Sequence, residues 1–205
     1  MARESRPIVK LSRREGYALH PKAHKALVKR SGPPGQQGTY SGRTKSSQYS
    51  LQLREKQKVK RLYGLLERQF RKLMDEASRT KGQSGTTLLE FLERRMDNVI
   101  YRAGFAPSRN AARQLATHGH FTLNGKRVDV PSIRLKPGDK LVLRDASKKN
   151  EYFKQIEELS PAPGNIASWL KVNRKQFSVE VTGTPARDDA EPDIKEQLIV
   201  EYYSR

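Results

Sequence analysis

Between Val59 and Ala77 the apolar residues Val59, Leu62, Tyr63, Leu66, Phe70, Leu73, Met74 and Ala77 return every three or four positions. A period near 3.6 puts all of them on one side of an α-helix, and such a stripe needs a packed surface to lie against. The spacing predicts one continuous helix over 51–79. Arg54, Lys58, Arg61, Arg68 and Lys72 step along the opposite side at intervals of three, four and seven. Glu55, Glu67, Asp75 and Glu76 fall off that row. It therefore reads as five unneutralised cations facing outward for RNA or DNA, rather than as an ordinary solvated face.

The charge of the whole chain points the same way. Its 205 residues carry 41 Lys and Arg against 22 Asp and Glu, a formal net charge of +19. Residues 1–80 hold +14 of this, residues 81–160 hold +6 and residues 161–205 hold −1. A positive excess confined to the first two thirds predicts a polyanionic partner for that part and a different role for the tail. No apolar run approaches the roughly 20 residues that cross a bilayer. The opening MARESRPIVKLSRREG has charges where a secretion signal needs an apolar segment. The expectation is a soluble cytoplasmic protein without a membrane partner.

Enzymatic chemistry finds no support. Without cysteine there is no disulfide, thiolate metal site or cysteine nucleophile. His20, His24, His118 and His120 lack metal-ligand spacing with carboxylates. Pro33–Gly38 (PPGQQG) lacks the Lys-Ser/Thr of a phosphate-cradling loop. Asp188, Asp189, Glu191 and Asp193 read as an exposed acidic loop. No catalytic residue, metal or cofactor is expected.

Residues 1–45 cluster Gly, Pro and Ser, as in SGPPGQQG at 31–38, and their cations recur without acidic partners. They read as an extended basic arm that orders on its partner, the alternative being a flexible solubilising tail. After the long helix, Leu88, Leu89, Leu92, Met96, Val99 and Ile100 predict a helix over 87–103, closed by Gly104. Ser108 is placed to cap a further helix over 109–117. Arg109 and Arg113 lie one turn apart on it, where free amides favour a phosphate. His120–Asn124 (HFTLN), Asn124–Gly125 and Lys126–Val130 (KRVDV) form the strongest hairpin signal in the chain. Lys136–Asp139 makes a second turn before a strand at 140–144. The fold class expected is α+β: a mostly helical domain, a small helix-helix and antiparallel-sheet RNA-binding module, and an extended basic N-terminal arm. The boundaries expected are an arm over 1–45 and a helical domain over 46–92, completed by 190–205. The module covers 93–157, with a sheet and loop extension over 158–189.

Residues 92–145 resemble the small RNA-binding module named after ribosomal protein four of the small subunit. The resemblance lies in Arg109, Ala111, Ala112, Arg113 and Leu115, then His118-Gly119, Asn124-Gly125 and the Pro137-Gly138-Asp139 turn. Flanking stretches narrow it. LSRREG at 11–16, PPGQQG at 33–38, YSLQLREKQKVKRLYGLLERQF at 49–70, RRMDNVIYRAGF at 94–105 and the terminal EQLIVEYYSR resemble, in order, the bacterial-type ribosomal protein four family itself. Members with an N-terminal zinc site use cysteines there, and this arm has Val9, Ser12 and Ser31 instead.

The resemblance implies a primary binder of small-subunit (16S) rRNA that grips a multi-helix junction of the 5′ domain and nucleates assembly. It also implies a place where mRNA enters the subunit, contacts with small-subunit proteins five and three, an influence on translational accuracy, and no homo-oligomer. The expected RNA contacts are Arg13, Arg14, Arg54, Lys58, Arg61, Arg68, Lys72, Arg95, Arg102, Ser108, Arg109, Arg113, His118, Lys126 and Arg127. Arg43 and Lys45 are expected to meet the message. Trp169, Leu198, Tyr202 and Tyr203 are apolar enough for the protein-five interface, with packing inside the chain as the alternative. A freestanding RNA-binding factor built on the same module is the competing reading, but such a factor has no need of the arm or the EQLIVEYYSR tail.

Overall fold

The computed structural model describes residues 4–30, 32–35, 47–164 and 166–204. They form two compact units, one made of residues up to Leu88 together with those from Asp193, the other of Leu89–Pro192. No helix among the described residues is long and apolar enough to cross a membrane.

The first unit is helical, with α1 (Ile8–Glu15), α2 (Ala23–Lys29), α3 (Gln48–Leu62), α4 (Glu67–Arg79) and α11 (Glu196–Tyr203). Part of the stretch expected to be extended is therefore helical. α1 packs on α2 and α3, and Leu11, Leu19 and Ala23 are buried. The helix expected over 51–79 is two helices. Gly64 takes a positive φ of 65°. Its N–H donates to the Arg61 carbonyl at 3.1 Å, and the Leu65 N–H donates to that of Lys60 at 2.9 Å. This paired closure is the Schellman stop, which a glycine permits and a buried residue just beyond it anchors. Leu65 is that residue, fully buried. The stripe survives the break: Val59, Leu62, Tyr63, Phe70, Met74 and Ala77 are buried, with Ile194 and Ile199 in the same unit.

In the second unit, α6 (Met96–Arg102) and α7 (Arg109–Thr117) pack together. A five-stranded antiparallel sheet accompanies them, ordered β2-β1-β3-β5-β4. Its strands are β1 (Phe121–Leu123), β2 (Lys126–Val128), β3 (Lys140–Leu143), β4 (Leu170–Asn173) and β5 (Ser178–Val181). Three one-turn helices, α8 (Asp145–Lys148), α9 (Glu151–Lys154) and α10 (Ile156–Leu159), link β3 to the C-terminal pair. The expected hairpin is present: Leu123 faces Lys126 across Asn124 and Gly125, whose φ values of 49° and 82° are those of a type I′ turn. Asn124 ties it to the second turn, its side chain donating to Asp139 and accepting from the Lys140 N–H. One core holds Met96, Ile100, Phe105, Phe121, Leu141, Phe153, Trp169 and Val179.

The helix expected over 87–103 is also divided, into α5 (Ser84–Glu93), within which the two units meet in sequence, and α6. At the break the Met96 N–H donates to the Ile133 carbonyl at 2.8 Å, and the Leu135 N–H to that of Arg94 at 2.9 Å. A distant segment takes the backbone groups that a continuous helix would have used. α7 matches its expected span, with Ser108 Oγ accepting the Ala111 N–H as its cap.

Gly104 joins α6 to the loop before α7 with φ at 74°, and a Cβ there would lie 2.5 Å from both Arg174 Nη1 and Pro163 Cδ. Its carbonyl accepts from Ser160 Oγ and Arg174 Nη1. Gly104→Ala combines left-handed strain with a close clash and should destabilise the chain by on the order of 2–4 kcal/mol. Gly125→Ala, in open space at φ 82°, should cost only about 1 kcal/mol. Urea unfolding of both variants compares the two.

Candidate nucleic-acid interface

Arg95 and Arg113, both expected to reach outward, instead converge on one buried carboxylate. Arg95 Nε and Nη2 donate to the two oxygens of Asp97 at 3.1 and 2.9 Å, and Arg113 Nη1 donates to Oδ2 at 3.1 Å. The three side chains are only 6–7% exposed. Asp97 also accepts the Asn98 N–H, one of the free donors in the first turn of α6. Arg102 is paired with Glu93 at 2.9 Å. Arg109 donates to Asn98 Oδ1 and to Glu191 Oε1 at 3.1 Å, and its guanidinium lies over the Tyr101 ring at 4.7 Å. The picture of a phosphate meeting Arg109 and Arg113 together at an open helix start is thus corrected. Ser108 is buried and occupied as a cap, and both arginines brace α6 against α7.

The row of five cations divides in the same manner. Arg54 and Arg61 both bond Glu15 Oε1, and the Glu15 side chain has no exposed surface. Burial pushes the Glu15 carboxyl up, against the pull of the two arginines, and pushes the Arg61 guanidinium down. Lys58 pairs with Glu55 at 2.8 Å and donates to the Asp193 carbonyl. Arg68 and Lys72 are exposed and make no salt bridge among the described residues, whereas Arg54, though its side chain is 39% exposed, is held by Glu15. The reading of an unneutralised row overlooked acids contributed by other parts of the chain.

A second carboxylate in this unit is shared too. Glu67 Oε1 accepts from Lys56 Nζ at 2.7 Å and from the Tyr203 hydroxyl at 2.9 Å, while Oε2 accepts from Lys60 Nζ at 2.8 Å. Burial opposes ionisation of Glu67, but these bonds outweigh it and hold the carboxyl down at about 2. The Tyr203 hydroxyl is pushed far up by burial and by that neighbouring carboxylate.

The remaining expected residues sort by exposure. Lys126 and Arg127 stand exposed on β2, directly after the hairpin turn. The Arg127 guanidinium covers Gly119, at the end of α7, so closely that a Cβ there would lie 2.9 Å from Nε. His118 is exposed beside it, its ring edge-on to His120 at 5.9 Å. Arg144, which the sequence reading did not single out, donates to the Gly119 carbonyl and adds a third cation at this turn. Arg14 is exposed on α1, whereas Arg13 is spent on the carbonyls of Gly32 and Pro33. Arg43 and Lys45 lie outside the described residues.

Of the four residues expected at a protein interface, Trp169 is corrected to a core position, 3% exposed. Tyr202 and Tyr203 are half-buried within the first unit. Tyr202 packs on Tyr49 and lies under the Lys56 ammonium, and Tyr203 meets Phe70 and Glu67. Leu198 is half-buried on α11. Tyr202 and Tyr203 thus make packing contacts inside the chain. Among the described residues no three His, Asp or Glu side chains gather as a metal site. In the acidic loop, Asp189 accepts from Ser168 and from the Ala186 N–H, and Glu191 is taken by Arg109.

A helix pair, a hairpin-led sheet and a surface of exposed cations at the hairpin define a small RNA-binding module carried with a basic helical unit. In family comparison, residues 3–93 match the ribosomal protein S4/S9 N-terminal domain and residues 94–141 match the S4 domain. The chain is 48% identical to the small ribosomal subunit protein uS4 of Roseiflexus castenholzii, over all of both chains. It is 48% identical to that of Chloroflexus aurantiacus and 49% identical to that of Trichlorobacter lovleyi, again over all of both. The chain belongs to the uS4 family.

Two outcomes follow from the shared carboxylates. Asp97→Ala strands two buried guanidiniums and should cost about 3–5 kcal/mol, whereas Lys126→Ala, fully solvated, should stay within about 0.5 kcal/mol, both read from thermal or urea unfolding. Glu67 has a folded pKa below its ordinary 4.5. The stability it contributes is therefore complete above about pH 4.5 and is lost as pH falls towards 2. Glu67→Gln should flatten stability against pH across that window, measured by urea midpoints at successive pH values.

Proposed function

We propose that the chain is a structural constituent of the small ribosomal subunit and acts there by binding rRNA rather than by catalysis. The observation that carries this reading is agreement with uS4 proteins from end to end, arm and tail included. A freestanding factor using the same module would share only the middle of the chain.

The chemistry suits structured RNA. Double-helical RNA hides its bases in a deep groove and offers phosphates, 2′-hydroxyls and shape. Cations on rigid supports match such a target. We assign the direct contacts to the exposed Arg14, Arg68, Lys72, His118, Lys126 and Arg127. Arg13, Arg54, Lys58, Arg61, Arg95, Arg102, Arg109 and Arg113 hold the backbone on which these stand and add positive potential from beneath, while Ser108 holds it as the cap of α7. The target is a multi-helix junction in the 5′ domain of small-subunit rRNA, where crowded phosphates repel one another and a cationic support offsets that repulsion during assembly. Arg43 and Lys45 meet the incoming message. The C-terminal third faces small-subunit protein five, with protein three close by, and through that contact bears on translational accuracy. The working place is the cytoplasmic ribosome.

The test is a titration of the full chain against naked small-subunit rRNA, with duplex RNA as competitor and a salt series. Selective binding that footprints to one 5′-domain junction is expected; equal competition by duplex would sink the reading. Lys126→Gln with Arg127→Gln should lower affinity, reduce the salt slope by about 1 for each phosphate no longer neutralised, and leave the melting temperature unchanged.

A further inference from the structure

The cluster around Glu67 contains more positive charge than the fold requires. Lys56 and Lys60 come from successive turns of α3, and their side chains are 4% and 8% exposed. A buried ammonium is costly unless it is paired, and one carboxylate serves both. Glu67 is itself 45% exposed. The ordinary arrangement is thereby inverted, with two buried cations meeting one anion that stands at the surface. Among the described residues Lys60 has Glu67 as its one hydrogen-bond partner, which uses one of its three donors.

The donor geometry is that of an oxyanion cradle. Two ammoniums and a phenol converge on the carboxylate oxygens within 2.7–2.9 Å. The Tyr203 hydroxyl stays protonated, so it can only donate to an anion placed there. Glu67 opens α4, a helix of thirteen residues whose N-cap, Leu66, supplies no side-chain acceptor. Arg68, Arg71 and Lys72 stand exposed on the same first turns, without a salt bridge among the described residues. The donors and cations around the carboxylate favour a larger, more negative oxyanion in its place.

We propose that Glu67 is an internal stand-in for phosphate: in the free protein it fills a cradle made by Lys56, Lys60 and Tyr203, and on binding a backbone phosphate of the rRNA displaces it. The carboxylate keeps two buried ammoniums compensated until RNA arrives, then swings into the solvent that already reaches it. Docking restores charge balance with a ligand that carries its own negative charge. The idea rests on the rRNA-binding reading above and names one contact within it.

The sign of the effect separates this role from a strut between helices. Glu67→Gln removes the competitor, while Asp75→Asn removes one exposed acid from the same helix and measures the generic gain from extra positive charge. If the cradle is open in about a tenth of wild-type molecules, Glu67→Gln should bind small-subunit rRNA roughly tenfold tighter than Asp75→Asn does. Inorganic phosphate should raise the melting temperature of Glu67→Gln, and not of wild type, above chloride at equal ionic strength. Equal rRNA affinities for the two variants overturn the proposal, as does a phosphate response no larger in Glu67→Gln than in wild type. Should Glu67→Gln fail to fold, Lys60→Gln leaves Lys56 and Glu67 as a neutral pair. It should cut the rRNA salt slope by about 1, and an unchanged slope overturns the cradle. Failure of the wild type to prefer rRNA over duplex would instead strike the rRNA-binding reading itself.

Discussion

Asp97 is the fixed point of the second unit. Its two oxygens take three bonds from Arg95 and Arg113 and one from the backbone of Asn98. Arg95 stands at the break between α5 and α6, and Arg113 in the middle of α7. One carboxylate therefore sets where α6 begins and how α7 lies on it, and β1 follows α7 after a short turn. The exposed cations of the hairpin inherit their position from a buried salt bridge.

The same arrangement recurs. Glu15 serves Arg54 and Arg61, Glu67 serves Lys56 and Lys60, and Glu191 serves Arg109 and, at 3.8 Å, Arg102. A chain with 41 basic and 22 acidic residues cannot pair its cations one to one. Four of its acids, Asp97, Glu15, Glu67 and Glu191, are each shared between two cations, while Arg68, Lys72, Lys126 and Arg127 stand exposed without a salt bridge among the described residues. The interior is held by local attraction while the surface keeps a positive potential.

The parts legible in the sequence were those written in short-range code. Asn124-Gly125 between alternating strands gave the hairpin, Ser108 gave the start of α7, and the stripe from Val59 to Ala77 gave the buried face. Gly64 was visible too, but the unbroken period of the stripe concealed the turn it makes. The break at Arg95 has no local signal, because the groups that cause it come from Ile133 and Leu135. The basic row failed for a related reason. A helical projection shows which cations share a face, and it cannot show that Glu15, 39 and 46 residues distant from Arg54 and Arg61, will reach that face. Charge pattern located the right helices and overstated which of their side chains remain available.

The chain has one tryptophan, and it is Trp169, closed within the core that carries the sheet. Its indole fluorescence is therefore a private signal of the second unit, since the first has no tryptophan. Whether the two units lose their structure together or in turn can be followed by exciting that one ring while circular dichroism reports on the helices, without attaching any label.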